Sequence, residues 1–232
     1  MGLLLKAGIN IDLINSALLA FFCIAFLLLI TNFFAPLKNT LPNYSLQLAG
    51  LIGNTSFLGI PIAIALLPTD TINFTIGFDL GTTLFSWIFG PYLLQKKSKK
   101  NVSFNFRKLL SSILSSPASR GIIGVLIIYL FNLENILGNF LWLPAKFVIY
   151  LAIIVVGARL GIITNNKNIL FKHEGNIQNA LLLKLFILPT FIFVICRILN
   201  FDGTGITALV LQAGTPSAIS TILMAEAYNK NR

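Results

Sequence analysis

The residues with the clearest chemical potential form a polar run inside an apolar segment, Asn54-Thr55-Ser56-Phe57-Leu58-Gly59-Ile60-Pro61. The surrounding segment, roughly Leu46 to Leu67, is long enough to cross a bilayer, which takes about 20 helical residues. A proline inside a helix removes a backbone donor and clashes with the carbonyl group four residues earlier. The Asn, Thr and Ser side chains before it place polar groups where lipid offers no hydrogen-bond partner.

A second run of this kind, Gln212-Ala213-Gly214-Thr215-Pro216-Ser217-Ala218, interrupts the last apolar segment. Two polar runs with Gly and Pro at matching depth indicate a transporter binding site built from broken helices. The positive amino ends of half-helices could hold an anion without a formal cation. The alternative is that both prolines are ordinary helix kinks, since proline is common in membrane helices. The predicted substrate-binding residues are Asn54, Thr55, Ser56, Pro61, Gly214, Thr215, Pro216 and Ser217.

Two ionisable residues lie deep inside apolar segments, where each costs roughly 2.5–3.5 kcal/mol on insertion scales. Asp79, in the run Gly77-Phe78-Asp79-Leu80-Gly81, is the candidate for proton coupling. A structural partnership with a neighbouring helix, or a wet interface position, is the alternative for this carboxylate. Lys184 could pair with an acid, but we expect it to snorkel to the inner membrane surface.

Enzyme chemistry has little support in this sequence. His173 is the only histidine, and it lies in a charged connector between apolar segments. Cys23 and Cys196 lie inside apolar segments without the spacing of metal ligands or a disulfide framework. No glycine-rich phosphate loop follows a strand. We therefore predict no catalytic residue, no metal and no cofactor.

The elements that position these residues follow from composition. Hydrophobic residues make up 56% of the 232 residues and charged residues 10%, whereas soluble domains carry about 25% charged residues. The formal net charge of +10 does not indicate nucleic-acid binding, because the basic residues lie mostly between apolar segments. We predict one all-α transmembrane domain over residues 1–232, partial with respect to a larger fold, with spans at about 13–34, 45–67, 72–94, 109–132, 140–163, 177–199 and 204–228.

Charge distribution predicts the orientation in the lipid bilayer. The connector Lys96–Lys108 contains only basic charges, and such connectors face the cytoplasm. The connectors that contain Asp70 and Glu134 have no Lys or Arg and should lie outside. We expect a multi-pass integral protein of the plasma (inner) membrane.

The run Gly53–Pro61 resembles the signature of the auxin efflux carrier family of membrane permeases, which includes bacterial relatives of the plant PIN carriers. Further motifs extend the resemblance over nearly the whole chain: Ser116-Pro117 with Gly121 and Gly124, Leu143-Pro144 with Gly157-Ala158-Arg159-Leu160, Lys184 with Leu188-Pro189, and Ala213–Ala218 with Ala225–Tyr228. The resemblance implies ten helices in two inverted five-helix repeats, similar to the bile-acid/sodium symporters. The fourth and ninth helices of that fold break and cross near prolines that align with Pro61 and Pro216.

By this alignment the seven spans correspond to family helices three to nine, so we expect a chain truncated at both ends. The resemblance implies a secondary-transporter-type permease that moves a small organic anion. The alternative is a non-transporting truncated remnant or an accessory membrane subunit. A natural short form could be completed by a partner chain or by a homodimer.

Overall fold

The computed structural model describes residues 2–96, 117–165 and 175–221, and within these ranges the chain is almost entirely helical. Two π-helical turns, Thr55–Gly59 and Leu183–Ile187, lead directly into α5 and α10. A 3-10 turn, Thr69–Thr71, leads into α6. The helices are α1 (Gly2–Ala7), α2 (Ile11–Phe33), α3 (Ala35–Thr40), α4 (Tyr44–Leu51), α5 (Ile60–Leu66), α6 (Ile72–Lys96), α7 (Pro117–Leu130), α8 (Glu134–Asn165), α9 (Gly175–Leu182), α10 (Leu188–Ile198) and α11 (Gly203–Ala213).

The predicted all-α class with several apolar helices is confirmed. Three of the described helical stretches are long and apolar enough to cross a membrane: Ile11–Phe33, Ile136–Val155 and Gly175–Ile198. The specific ten-helix inverted repeat remains a prediction. Most of the basic connector Lys96–Lys108, the start of the fourth predicted span and the end of the seventh lie outside the described residues.

In the described chain, α2 and α6 make the most extensive contact between two helices. Gly77 contacts the backbone of Leu13, and Gly81 contacts the backbone of Ala17 one turn further along both helices. Small residues allow such close backbone approach between membrane helices. Because the paired residue numbers rise together, α2 and α6 run in the same direction. The first and third spans of a chain that alternates across a membrane must do the same.

The main core lies where α2, α4, α6 and the segment α9–α11 meet. Its fully buried apolar side chains include Ile24 on α2, Leu51 at the end of α4, Leu188 on α10 and Leu209 on α11. Leu4 on α1 belongs to a smaller second cluster, which α1 forms with α2, α6 and α7. Both clusters pack against α6, so this helix is held on several sides at the level of Asp79.

In contrast, α8 leaves most of its apolar side chains uncovered. Exposed fractions reach 70% at Ile136, 72% at Phe140 and 76% at Leu143. A helix with this composition and exposure requires an apolar surrounding, and lipid supplies one. The exposed face of α8 is therefore consistent with a protein embedded in a bilayer.

Capping residues set the beginnings of α2 and α11. The Asn10 side chain accepts a hydrogen bond from the Leu13 amide at 2.9 Å and begins α2. The Asp202 side chain accepts from the Gly205 amide at 3.2 Å and begins α11. Such caps satisfy amides that have no partner inside the helix. Between α10 and α11, Asn200 adopts a positive φ of 56°, which Asn tolerates better than most residues.

Candidate functional site

Two of the apolar spans are interrupted, as the sequence predicts. Helix α4 ends at Leu51, and the chain resumes helical structure at Thr55. Helix α11 ends at Ala213 and is followed by a non-helical stretch through Ala218. Non-helical backbone inside a membrane protein is tolerated only where it is buried or lines a cavity. The two interruptions are therefore where a binding site is to be sought.

The two interruptions cross each other. An isolated antiparallel bridge pairs Gly53 with Ser217. The Ser217 hydroxyl also donates to the Ala49 carbonyl at 2.6 Å. These bonds give the freed backbone groups protein partners, so each interruption satisfies the other. Two backbone hydrogen bonds join the segments: from Asn54 N to the Pro216 carbonyl at 2.7 Å, and from Ala218 N to the Ile52 carbonyl at 3.0 Å.

The expectation that the first interrupted span breaks near Pro61 is wrong about the position of the break. The break lies at Ile52–Asn54, and Pro61 is in the first turn of α5. The π-helical turn Thr55–Gly59 explains the difference. In this wider turn the Ile60 amide donates to the Thr55 carbonyl, five residues earlier. The helix therefore continues into the proline without a break. Pro216, in contrast, lies within the crossing itself.

Asp79 is tied to the crossing by two hydroxyl groups. Thr55 Oγ1 donates to Asp79 Oδ1 at 2.6 Å, and Ser56 Oγ donates to the same oxygen at 2.5 Å. The carboxylate therefore lies at the amino end of the helical segment that follows the first break. An acidic group at this end of a helix interacts favourably with the helix dipole. Of the interpretations given for Asp79, partnership with a neighbouring element is the one seen in the geometry. Its proton coupling remains a prediction.

Lys184 lies on the other side of the crossing, and the snorkelling prediction for it is wrong. Its side chain is 1% exposed, and Nζ donates to the Ala213 carbonyl at 2.7 Å. The ammonium group thus caps the carboxyl end of α11, where a cation is favourable. Gly53 makes room for it, because an added Cβ would lie 2.8 Å from Nζ. The position of Lys184 within its apolar segment could not show that its side chain faces the protein interior.

Gln212 is a polar residue of the crossing that sequence reasoning missed as a candidate. Its side chain is fully buried against Gly59, and within the described chain neither amide atom has a hydrogen-bond partner. A buried amide without a partner is costly and requires an explanation. The available signal was a glutamine in the last turn of an otherwise apolar helix, directly before the Gly214 break.

A cavity of about 230 Å³ opens beside Asp79. Its polar lining comes from Asp79, Ser56 and Thr83. The apolar lining comes from the start of α1, from α5, from α6 and from α7. Largely apolar walls with a few convergent polar groups are typical of small-molecule sites.

The other candidate residues have different environments. Asn54 is buried, and its side chain makes no capping hydrogen bond to the following helical turn. Thr215 is buried, and its hydroxyl donates to the Gln212 carbonyl at 2.8 Å. Pro216 is exposed and Gly214 is half-buried. The structure therefore brings Thr55, Ser56 and Asp79 together, whereas the hydroxyls of Thr215 and Ser217 are engaged by backbone carbonyls. Among the residues described, no three His, Cys, Asp or Glu side chains cluster in a way that could hold a metal ion.

Comparison with known proteins identifies the family. A family model described as membrane transport protein matches residues 108–232, more than half of the chain. The chain belongs to this family of membrane transport proteins. It is the auxin efflux carrier family indicated by the sequence resemblance, which is thereby confirmed. Its members are transport proteins, in agreement with the prediction that this chain is not an enzyme.

A curated relative supports the same assignment. The uncharacterized transporter MJ1031 of Methanocaldococcus jannaschii is 22% identical over 186 residues, which cover 79% of this chain. The match spans 58% of the length of that relative. No solved structure is significantly similar to this chain. The protein is thus an integral membrane protein of a transporter family.

Proposed function

We propose that this membrane transport protein is a secondary-transporter-type permease that moves a small organic anion across the plasma (inner) membrane. The observation that carries the proposal is the crossing of two interrupted helices at Gly53 and Ser217, with Asp79 held against it. Interrupted helices of this kind near the middle of a bilayer are typical of substrate sites in secondary transporters.

Anion recognition would use the start of the helical segment after the first break. The first amides of any helix have no partner inside that helix, and they carry partial positive charge. Asn54 precedes this segment with a buried amide side chain, which offers two donors and one acceptor. Together with Pro61 and the 214–217 segment, it completes the proposed binding site.

Asp79 would link substrate binding to a proton. Its carboxylate already lies at the amino end of the segment, where it accepts hydrogen bonds from the Thr55 and Ser56 hydroxyls. A carboxylate and an organic anion in one 230 Å³ cavity would repel each other. A proton on Asp79 removes that repulsion and turns the carboxyl group into a hydrogen-bond donor. We therefore propose that anion and proton occupy the site together.

Orientation and assembly complete the proposal. We place the Lys96–Lys108 connector in the cytoplasm and the connectors with Asp70 and Glu134 outside, following the distribution of basic residues. We propose a homodimer as the assembly. The alternative function is a non-transporting remnant or an accessory membrane subunit. The match spans 58% of the length of the curated relative.

Flux measurements on the purified chain test the proposal. Proteoliposomes would be loaded with individual radiolabelled mono- and dicarboxylates, and efflux would be compared with that from protein-free vesicles. Thr207→Ala serves as the control variant, because this exposed hydroxyl lies on α11 and donates to the Gly203 carbonyl within the same helix. Saturable efflux by parent and control supports a permease. Efflux equal to that from protein-free vesicles for every anion refutes transport by this chain alone and favours the accessory or remnant function.

A further inference from the structure

Helix α6 carries a polar face that the substrate site does not fully use. Thr75, Asp79, Thr82, Thr83 and Ser86 recur at intervals of three and four residues, which places them within about 100° around a helix. The 25 residues of α6 are long enough to cross a membrane. It is nevertheless absent from the three described stretches that are also sufficiently apolar. The polar face therefore needs a polar surrounding inside the bundle.

Two hydroxyls on this face have no partner in the described chain. Thr82 is 1% exposed and Ser86 is 2% exposed, and both hydroxyl oxygens lack a hydrogen bond. A serine or threonine in a helix usually satisfies itself by donating to the carbonyl four residues earlier. Thr75 does so, with its hydroxyl 3.0 Å from the Thr71 carbonyl, and so does Ser16 on α2. Thr82 and Ser86 depart from this ordinary arrangement.

The unpartnered amide of Gln212 lies against the helical turn Thr55–Gly59. Near the start of α11, Gly205 contacts Phe74 on α6. About two turns later Gln212 contacts Gly59, in the helical turn that holds Asp79 through its hydroxyls. Both helices therefore approach the crossing together. Gln212 adds an orphaned polar group near the turn that holds Asp79, and Thr82 and Ser86 add two more beyond Asp79 on the Lys96 side.

We propose that these groups line an internal hydrated chamber that adjoins Asp79 and extends toward the Lys96 end of α6. The ligand is water. A buried water molecule typically makes two to four hydrogen bonds to otherwise unsatisfied polar groups, and the hydroxyls and the amide supply such groups. From Asp79 to Ser86 the helix rises roughly 10 Å, enough for a short file of water molecules.

The chamber gives Asp79 a second polar neighbourhood. The 230 Å³ cavity reaches this residue beside Ser56 and Thr83, whereas the chamber reaches it along Thr82 and Ser86. Where the chamber serves proton exchange, it rests on the proposed function. Its existence does not depend on transport.

Silver-ion accessibility tests the chamber. Ag⁺ is small, reacts with thiols and does not enter hydrocarbon. Thr82→Cys and Ser86→Cys would be made in the full chain after Cys23 and Cys196 are replaced by alanine. Leu84→Cys is the matched control, because it has similar depth but points away from the polar face. We expect Ag⁺ to protect the two test cysteines from later alkylation at least tenfold faster than it protects the control.

A blocking variant tests the direction of the chamber. Ser86→Leu, combined with Thr82→Cys, should slow Ag⁺ access to the cysteine at least tenfold, because a leucine fills the path from the Lys96 end. Equal, slow rates at all three cysteines overturn the proposal, and an unchanged rate behind Leu at position 86 overturns the stated direction. Size-exclusion profiles identify misfolded variants, and Ser86→Cys, which changes one atom, decides alone if Thr82→Cys does not fold. Since no substrate is added, failure of the anion-flux assay leaves this result intact.

Discussion

Replacing Gly81 with alanine should loosen the helix pair that positions Asp79. An added Cβ at Gly81 would overlap the Ala17 carbonyl oxygen, and it would lie 2.9 Å from the carbonyl carbon and 3.0 Å from Cα. These atoms belong to the backbone of α2, so no side-chain rotation relieves the overlap. Carbon atoms pack best at about 3.5–4.0 Å, so the contact with the carbonyl carbon alone requires a local separation of roughly 0.6–1.1 Å, and the overlap with the oxygen requires at least as much.

The energetic consequence follows from two opposing terms. Overpacking of a close contact costs about 1–3 kcal/mol. Alanine in a helix interior is favoured over glycine by about 0.5–1 kcal/mol. Gly81→Ala should therefore lower the free energy of unfolding by up to about 2.5 kcal/mol. The separation also shifts Asp79 relative to Thr55 and Ser56, whose hydroxyls lie only 2.6 and 2.5 Å from its carboxylate.

The matched control is Gly157→Ala on α8, where an added Cβ meets nothing within 4 Å. It should leave stability unchanged or raise it by about 0.5–1 kcal/mol. Reversible unfolding in mixed micelles with increasing dodecyl sulfate measures both variants. The gap between them isolates the overpacking term, about 1–3 kcal/mol. Equal unfolding free energies for the two variants would contradict the close packing of α2 on α6.

Three further outcomes are expected. Asn54→Ala should weaken anion binding by about 1–3 kcal/mol through loss of buried hydrogen bonds, measured by equilibrium binding at equal membrane expression; parental affinity would remove Asn54 from the site. Asp79→Asn keeps the shape and removes the titrating proton, so the pH profile of uptake should flatten; an unchanged profile would assign Asp79 to packing alone. Cysteines at Ser98 and Asn135, in a cysteine-free background, should be labelled from the cytoplasmic and external sides respectively, and external labelling at Ser98 would reverse the orientation.

Local sequence patterns predicted the helices and their interruptions because both depend on nearby residues. A long apolar run requires a helix in lipid, and a Gly/Pro-interrupted polar run weakens that helix. The exact break was harder to predict. Pro61 is the strongest breaker in its span, yet the π-helical turn Thr55–Gly59 absorbs it and the break occurs at Ile52–Asn54. Its place is set by pairing with Pro216 and Ala218, which are distant in sequence.

The partners of buried polar groups could not be predicted from one sequence. Asp79 meets hydroxyls more than 20 residues away, and Lys184 meets a carbonyl nearly 30 residues away. A lysine at a given depth reaches either lipid headgroups or the protein interior, depending on the face of its helix that is covered. Gly53 decides this for Lys184 by leaving space for the ammonium group. Periodicity alone cannot show which face a neighbouring helix covers.

The charges at the crossing are already matched to helix ends, and this constrains any mechanism. Lys184 caps the carboxyl end of α11, and Asp79 occupies the amino end of the segment that begins at Thr55. An organic anion that seeks that amino end must compete with the carboxylate unless Asp79 is neutral. Under the proposed function, a proton on Asp79 strengthens anion binding. Linkage is reciprocal, so the bound anion must strengthen proton binding by the same factor. Coupling would then follow from a competition between two negative groups for one helix end.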